Sequence, residues 1–332
     1  MREGKQQQER PETTVGMIET REVDCVLCGT SEVGEEVCVT KDFCYETCEN
    51  EFHYVACANC GHLYLKNRPA LSELSTIYPK NYLTYDYEKS LGNLIFRLRN
   101  AVQARKIDPI AHYARPNDTI VDIGCGAGDL LRLMRRYGAP GWRLVGVDFS
   151  AEAVKRARAD DIEVIEGRIE ALPENTLNDV GVFVMNQLIE HVEDPGEVLR
   201  SCASMLRPGG VLIMETPNHA AWDPRLFRSR YWGCWHAPRH WNIFDAESLG
   251  SLAERNGFEV VAEDYTLNPF GWLHSIQYWM RERVGWWRLG RKFDVDNVFA
   301  LAAASALDVL QKLFSGKTSN LRLICRRPEM ER

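Results

Sequence analysis

The sequence predicts an α/β protein, a mostly parallel sheet covered by helices on both faces, and three observations carry that reading. The stretch Val121-Asp-Ile-Gly-Cys-Gly-Ala-Gly128 runs from a buried strand into a turn made almost wholly of small residues. After a helical segment, Val145-Gly-Val-Asp-Phe-Ser150 reads as a second strand that ends on an acidic residue. A strand, a glycine turn, a helix and a strand tipped by Asp148 make half of a nucleoside-binding unit. The carboxylate is placed to accept hydrogen bonds from two ribose hydroxyls. The glycines let backbone N–H groups approach a bulky ligand, which a Cβ would prevent. Third, short apolar runs go on alternating with helical ones, the pattern of a parallel sheet buried on both sides.

The elements follow in order. Ile162-Glu-Val-Ile-Glu-Gly167 reads as the third strand and Asp179-Val-Gly-Val-Phe-Val-Met185 as the fourth. Asn186-Gln-Leu-Ile-Glu-His-Val-Glu-Asp-Pro195 comes next, then a helix over residues 196–206, the turn Arg207-Pro-Gly-Gly210 and the strand Val211-Leu-Ile-Met-Glu-Thr-Pro217. A helix over residues 245–256 stops at Gly257, whose freedom to take a left-handed backbone suits a C-terminal cap. Phe258-Glu-Val-Val-Ala-Glu-Asp-Tyr265 supplies a sixth strand and Leu321-Arg-Leu-Ile-Cys325 a seventh.

A dinucleotide fingerprint needs G-x-G-x-x-G, but the sixth position counted from Gly124 is Asp129. The pattern is instead Asp122-x-Gly124-x-Gly126-x-Gly128. With Asp148, residues 186–195 and the Pro-Gly-Gly turn, it resembles the class I S-adenosylmethionine (SAM) methyltransferases over residues 118–265. The resemblance implies a Rossmann-like seven-stranded sheet, mostly parallel with the last strand antiparallel, and SAM as cofactor. It implies cofactor contacts from Asp122, Gly124, Gly126, Gly128, Asp148, Phe149, Gly167, Arg168, Ile169, Asn186 and Gln187. Members of that family often carry an acidic residue after the third-strand glycine to meet the adenine amine. Arg168 stands there, so adenine is expected to rest on backbone and apolar contacts near Gly167 and Ile169.

Composition sets outer limits. With 332 residues there is room for two domains or one large domain with additions. Apolar residues at 45% and charged residues at 26% suit a globular chain. The net charge of −7 argues against a broad nucleic-acid footprint, which needs a basic surface. Residues 1–20 are polar, with a glutamine run and no apolar core, and read as a disordered tail rather than a signal or transit sequence. The longest apolar run, residues 298–310, reads as too short for a transmembrane segment, so a cytoplasmic protein is expected.

Of eleven cysteines, seven crowd between Cys25 and Cys60. Cys25-Val-Leu-Cys28-Gly and Cys57-Ala-Asn-Cys60-Gly are two knuckles in which paired thiolates can share a tetrahedral ion. They predict a zinc ribbon with Cys25, Cys28, Cys57 and Cys60 as ligands. A structural role for zinc is favoured over substrate recognition, because so small a segment cannot build a core of its own. Cys38, Cys44 and Cys48 are read as plain thiols, with Cys44 or Cys48 a substitute ligand. Cys125 sits inside the glycine turn and reads as a buried thiol rather than a nucleophile. The knuckles, Tyr64-Leu-Lys-Asn-Arg-Pro69 and Ile77-Tyr-Pro-Lys-Asn-Tyr82 together resemble a subgroup of bacterial methyltransferases with an N-terminal zinc module, some of which act on nucleotide-linked sugars.

The expected organisation is a tail over 1–20, a zinc ribbon over 21–68 and a linker with a helical lid over 69–117. The SAM-binding domain spans 118–267 and 316–328, interrupted by a helical insertion over 268–315. Residues 218–242 hold Trp222, Tyr231, Trp232, Trp235 and Trp241 beside His219, His236, His240, Arg225 and Arg239. They follow the fifth strand, where ligands of open α/β sheets lie, and so are expected to wall the acceptor. The tryptophans equally suit a satellite core that pins the loop.

Removing a proton from a hydroxyl or carbon acid needs a base near neutral pKa, which makes His240, His236 and then His191 the catalytic candidates. For His191 a structural hydrogen bond is the competing role. The aromatic insertion could cap the site, touch a lipid-linked acceptor, or join two copies as a homodimer. The leading expectation is methyl transfer to a small-molecule, nucleotide-sugar or lipid-linked acceptor. The alternatives are a methyltransferase that grips RNA or protein through the ribbon, and a non-catalytic SAM-binding scaffold.

Overall fold

In a computed structural model, residues 16–79, 105–173, 175–227, 230–283 and 297–329 are described. The expected tail lies mostly outside them, as do residues 80–104 of the linker and lid and 284–296 of the insertion. Near the N-terminus come β1 (Thr20–Glu22), β2 (Val33–Thr40), β3 (Phe52–Cys57), β4 (Leu63–Leu65) and β5 (Asn67–Pro69). A helix α1 (Ile107–Tyr113) leads into the α/β unit: β6 (Thr119–Ile123), α2 (Asp129–Tyr137), β7 (Arg143–Asp148), α3 (Ala151–Ala159), β8 (Glu163–Glu166), β9 (Val180–Asn186), α4 (Pro195–Met205) and β10 (Leu206–Pro217). After it come β11 (Asn242–Ile243), α5 (Ala246–Arg255), β12 (Glu259–Tyr265), α6 (Pro269–Arg283), α7 (Val298–Ser315) and β13 (Asn320–Arg326).

The large sheet has seven strands in the order β12-β13-β10-β9-β6-β7-β8. From β10 to β8 the neighbours are parallel, and β13 runs antiparallel to both β10 and β12. This is the expected Rossmann-like sheet. β9, Val-Gly-Val-Phe-Val-Met-Asn, is buried along all but its last residue, as a central strand covered on both faces must be. Gly128 starts α2 at φ 88°, and a Cβ there would lie 2.6 Å from Ile162 Cδ1. It therefore serves the close seating of helix on sheet. Ser150 caps α3 by accepting from the Ala153 N–H, and Asp194 caps α4 by accepting from Glu197 ahead of Pro195.

Residues 218–242 take mainly the second of their two expected roles, a satellite core, while Trp241 also lines the cleft. β11 is the edge strand of the N-terminal sheet, ordered β11-β4-β3-β2, with Asn242 opposite Tyr64 and Ile243 opposite Leu63. Trp232, Trp235, Trp241 and Ile243 share an apolar cluster with Phe52, Tyr54, Leu63 and Leu65. Most of the loop thus serves as core for the N-terminal module. So much aromatic surface is most stable out of water, and the small module offers it a face. At the centre of this contact the Arg239 guanidinium meets the Asp42 carboxylate at 3.0 and 3.1 Å, both side chains fully buried. Asp42→Asn should cost about 3–5 kcal/mol in urea unfolding, because Arg239 keeps its charge without a counter-charge. A variant as stable as the parent would show that the pair is not holding the contact.

The core is continuous between the two parts. Cys25, Leu27, Val55, Cys57 and Tyr64 join one buried cluster with Val198 and Leu199 of α4, Leu249 and Leu252 of α5, and Phe258. The insertion packs elsewhere. Ser275 of α6 accepts from the Gly233 N–H at 2.8 Å, and Phe43 stacks on Tyr278 at 5.2 Å. None of its described residues lines the cleft between the glycine turn and the N-terminal module, so the described part of it does not cap that site. Helix α7 also runs past residue 310 to Ser315, where Gly316 at φ 70° ends it. At 18 residues and mean hydropathy 1.4 it is long and apolar enough, by length and composition, to cross a membrane. The expectation that this run is too short is corrected to that extent.

Candidate active site

The carboxyl ends of β6, β7 and β8 open into a cleft of about 870 Å³, within the usual range of about 300–1,000 Å³ for small-molecule sites. Gly124 and Gly126 form its floor at φ 72° and 53°. A Cβ at Gly126 would meet nothing within 4 Å, so this glycine answers to backbone conformation and to room for a ligand rather than to packing. The Asp148 carboxylate accepts from the Gly126 N–H at 2.8 Å and from the Ser150 N–H at 2.8 Å. It braces the turn, and each oxygen keeps a second lone pair for a ligand hydroxyl.

Phe149, 55% exposed, continues the wall, followed by Gly167, Arg168 and Ile169. Gln187 closes that side and donates from Nε2 to Asn320 Oδ1 at 2.7 Å. Of the residues expected to touch the cofactor, Gly124, Gly126, Asp148, Phe149, Gly167, Arg168, Ile169 and Gln187 border the cleft. Asp122, Gly128 and Asn186 do not. Asp122 is buried beneath the turn, and desolvation pushes its carboxyl up to about 7.

The cleft is also lined by Leu74, Ser75, Tyr78, His191, Val192 and Trp241. His191 Nδ1 lies 3.1 Å from the Tyr78 hydroxyl and 3.0 Å from the Arg239 carbonyl. Burial draws its imidazole down to about 4, leaving it neutral at physiological pH. His240 and His236, preferred on the sequence, are drawn into the same cluster but behind the wall. Ring centroids are 4.6 Å apart for His191 and His240, and 5.0 Å for His236 and His240. His240 Nδ1 is fixed 2.8 Å from the Cys234 carbonyl. Burial likewise pushes both loop histidines well below the ordinary range. His191 is the member that reaches the cleft.

The knuckle cysteines also converge. Cys25 Sγ lies 3.6 Å from Cys60 Sγ and Cys28 Sγ 3.5 Å from Cys57 Sγ, and all four sulfurs lie within 4.8 Å of one another. Sulfurs about 2.3 Å from a tetrahedral zinc stand roughly 3.8 Å apart, so the donor set fits that ion. Cys38, Cys44 and Cys48 stay outside the group.

Residues 96–263 match the sequence profile of a family described as a methyltransferase domain. The chain belongs to this methyltransferase family. Among curated relatives, a ubiquinone biosynthesis O-methyltransferase of Xanthomonas campestris pv. campestris is 32% identical over 126 residues, covering 36% of this chain and 52% of the relative. An uncharacterized 37.1 kDa protein in transposon TN4556 of Streptomyces fradiae is 35% identical over 117 residues, 33% of this chain and 32% of that one. The chain thus spans about half the length, or less, of the curated relatives it matches. Solved structures similar to it include a SAM-dependent methyltransferase from Archaeoglobus fulgidus, 17% identical with a TM-score of 0.46, covering 68% of this chain and 94% of that chain. Another, from Mesorhizobium loti, is 17% identical with a TM-score of 0.40, covering 64% and 92%.

Two residues of the site escaped the sequence reading. Tyr78 and Leu74 come from the N-terminal side, far from the family motifs, and their only signal was the tyrosine-rich stretch after Pro69. The resemblance also places Glu190, the neighbour of His191, beside the cofactor, but it does not border the cleft. Glu190 is fully buried, accepts from the Thr216 hydroxyl at 3.0 Å through Oε2, and is pushed up to about 8 by desolvation.

Proposed function

We propose that the chain transfers a methyl group from SAM to a small-molecule or sugar-linked acceptor. The observation that carries this is a single cleft lined both by a glycine and carboxylate cradle and by Tyr78, His191 and Trp241. Gly124, Gly126 and Asp148 would hold the methionine and ribose portions of SAM, and Phe149 with residues 167–169 the adenine. SAM bound there supplies an electrophilic methyl group. The protein's own part is to hold the acceptor in line beside His191 and to exclude water, and such positioning carries much of the rate in a displacement. The acidic balance of the chain and the apolar wall of Leu74, Val192 and Trp241 support a compact acceptor over RNA. We further read residues 21–68 as a structural zinc module, and residues 118–267 with 316–328 as the SAM-binding unit.

Purified protein incubated with methyl-labelled SAM and metabolite extracts should yield a labelled small molecule, identified by mass spectrometry. Label found solely in protein or RNA would sink this reading. His191→Ala should lower turnover by about 10²–10⁴-fold, the usual share of a group that assists proton removal. SAM affinity, read by calorimetry, should stay near that of the parent, since His191 makes none of the hydrogen bonds that hold Asp148 and the Gly126 turn. Turnover close to the parent's would remove His191 from the chemistry.

A further inference from the structure

Behind the cleft wall, Glu190, His191 and His240 each offer a donor atom, and the three atoms lie within 4.8 Å of one another. Glu190 Oε1 is buried and has no hydrogen-bond partner among the described residues; the nearest charged-group contact is His240 Nε2, at 3.9 Å. A carboxyl oxygen buried without a partner is costly, and a bound cation would relieve that cost by favouring the ionised form. The nearby Arg239 does not provide that positive charge, because its guanidinium is engaged by Asp42.

The imidazole of His240 is already arranged as a ligand. With Nδ1 on the Cys234 carbonyl, the proton sits on that nitrogen and Nε2 presents its lone pair toward Glu190. Histidines that bind metals are held in this way, the second nitrogen donating to a carbonyl. Glu190 is oriented too, by the Thr216 hydroxyl on its other oxygen. Two imidazoles and one carboxylate form a donor set for divalent transition ions.

We propose that Glu190, His191 and His240 bind one divalent transition-metal ion beside the cleft, separate from the four-cysteine cluster. Donors around such an ion stand roughly 3–3.5 Å apart, so the Glu190–His240 gap needs to close by about half an ångström or more. His191 borders the cleft, and so do Val192 and Trp241, neighbours in sequence of the cluster. The ion's remaining positions would therefore suit an acceptor hydroxyl with a second oxygen beside it. An ion there would favour loss of the hydroxyl proton by stabilising the alkoxide. This last point rests on the methyl-transfer reading; metal binding does not.

Manganese is the discriminating probe, because it favours carboxylate oxygen over the thiolates of the four-cysteine cluster. Zinc-loaded full-length protein, freed of excess metal, would be titrated with Mn²⁺ and followed by electron paramagnetic resonance. About one further equivalent should bind, and Glu190→Gln and His240→Gln should each weaken it by at least about tenfold, as expected when a ligand is lost. Both variants should keep their four-cysteine zinc, which reports that they are folded. If one loses that zinc, the other carries the test. Failure of the wild type to bind Mn²⁺, Co²⁺ or a second Zn²⁺ would overturn the proposal, as would unchanged Mn²⁺ binding in the folded variants. Metal bound specifically at this site, without any labelled product, would uphold the site and sink the methyl-transfer reading.

Discussion

Cys57→Ser should strip the protein of zinc and lower the stability of the whole chain, not merely of the N-terminal module. The four sulfurs already stand at separations that fit a tetrahedral ion. Structural zinc sites bind with apparent free energies of about 10–16 kcal/mol, comparable to the entire stability of a domain. Two contacts transmit the loss. Arg255 of α5 donates to the Leu27 carbonyl in the first knuckle at 2.7 Å, and Cys25 and Cys57 belong to the same buried cluster as Leu249 and Leu252. Forfeiting about 5 kcal/mol would lower the melting temperature by roughly 7 °C for a chain of 332 residues. A thermal scan with metal analysis checks this, and exhaustive chelation of the wild type should reproduce it. A zinc-free Cys57→Ser protein that melts with the parent would show that the thiols are not a structural metal site.

Asp148→Ala should cost most of the affinity for SAM while the fold survives. The carboxylate would accept two ribose hydroxyls, and hydrogen bonds to a charged group contribute about 1.5–3 kcal/mol each. It also braces the Gly126 and Ser150 N–H groups at 2.8 Å, so alanine loosens the cradle as well as removing the acceptors. A rise in Kd of at least about a hundredfold follows from the ribose contacts alone. Asp148→Asn, which keeps one acceptor oxygen, should fall between alanine and the parent. Calorimetry that finds parental affinity in the alanine variant would overturn the assignment of this part of the cleft.

The α/β unit was legible because its signals are local. A strand buried on both faces reads as an apolar run, and a turn that must approach a ligand reads as glycine. Phe149, Gly167 and Gln187 could be carried over because they sit at fixed offsets from those strands. Gly128 shows the limit, since the same motif position serves helix seating against Ile162, and Asp122 lies buried beneath the turn rather than on the cleft. The histidines were legible as a chemical set but not in their order. Which imidazole faces the cleft depends on Asn242 pairing with Tyr64 across the N-terminal sheet, a non-local register with no periodic signature. Tryptophans after the fifth strand suited a ligand wall and a packed core equally, and the N-terminal sheet tipped the balance toward core.

That borrowed strand has a consequence for synthesis. Asn242 and Ile243 complete a sheet whose other strands end at Leu65, so the N-terminal module cannot close while it emerges from the ribosome. Its knuckles can capture metal early, but Phe52, Tyr54 and Leu65 must wait for Trp232, Trp235 and Trp241 before their core is covered. Contacts between residues so distant in sequence form late and slowly. The nascent chain therefore carries an uncovered apolar face through most of translation, and a fragment ending before β11 would inherit that face permanently and tend to aggregate.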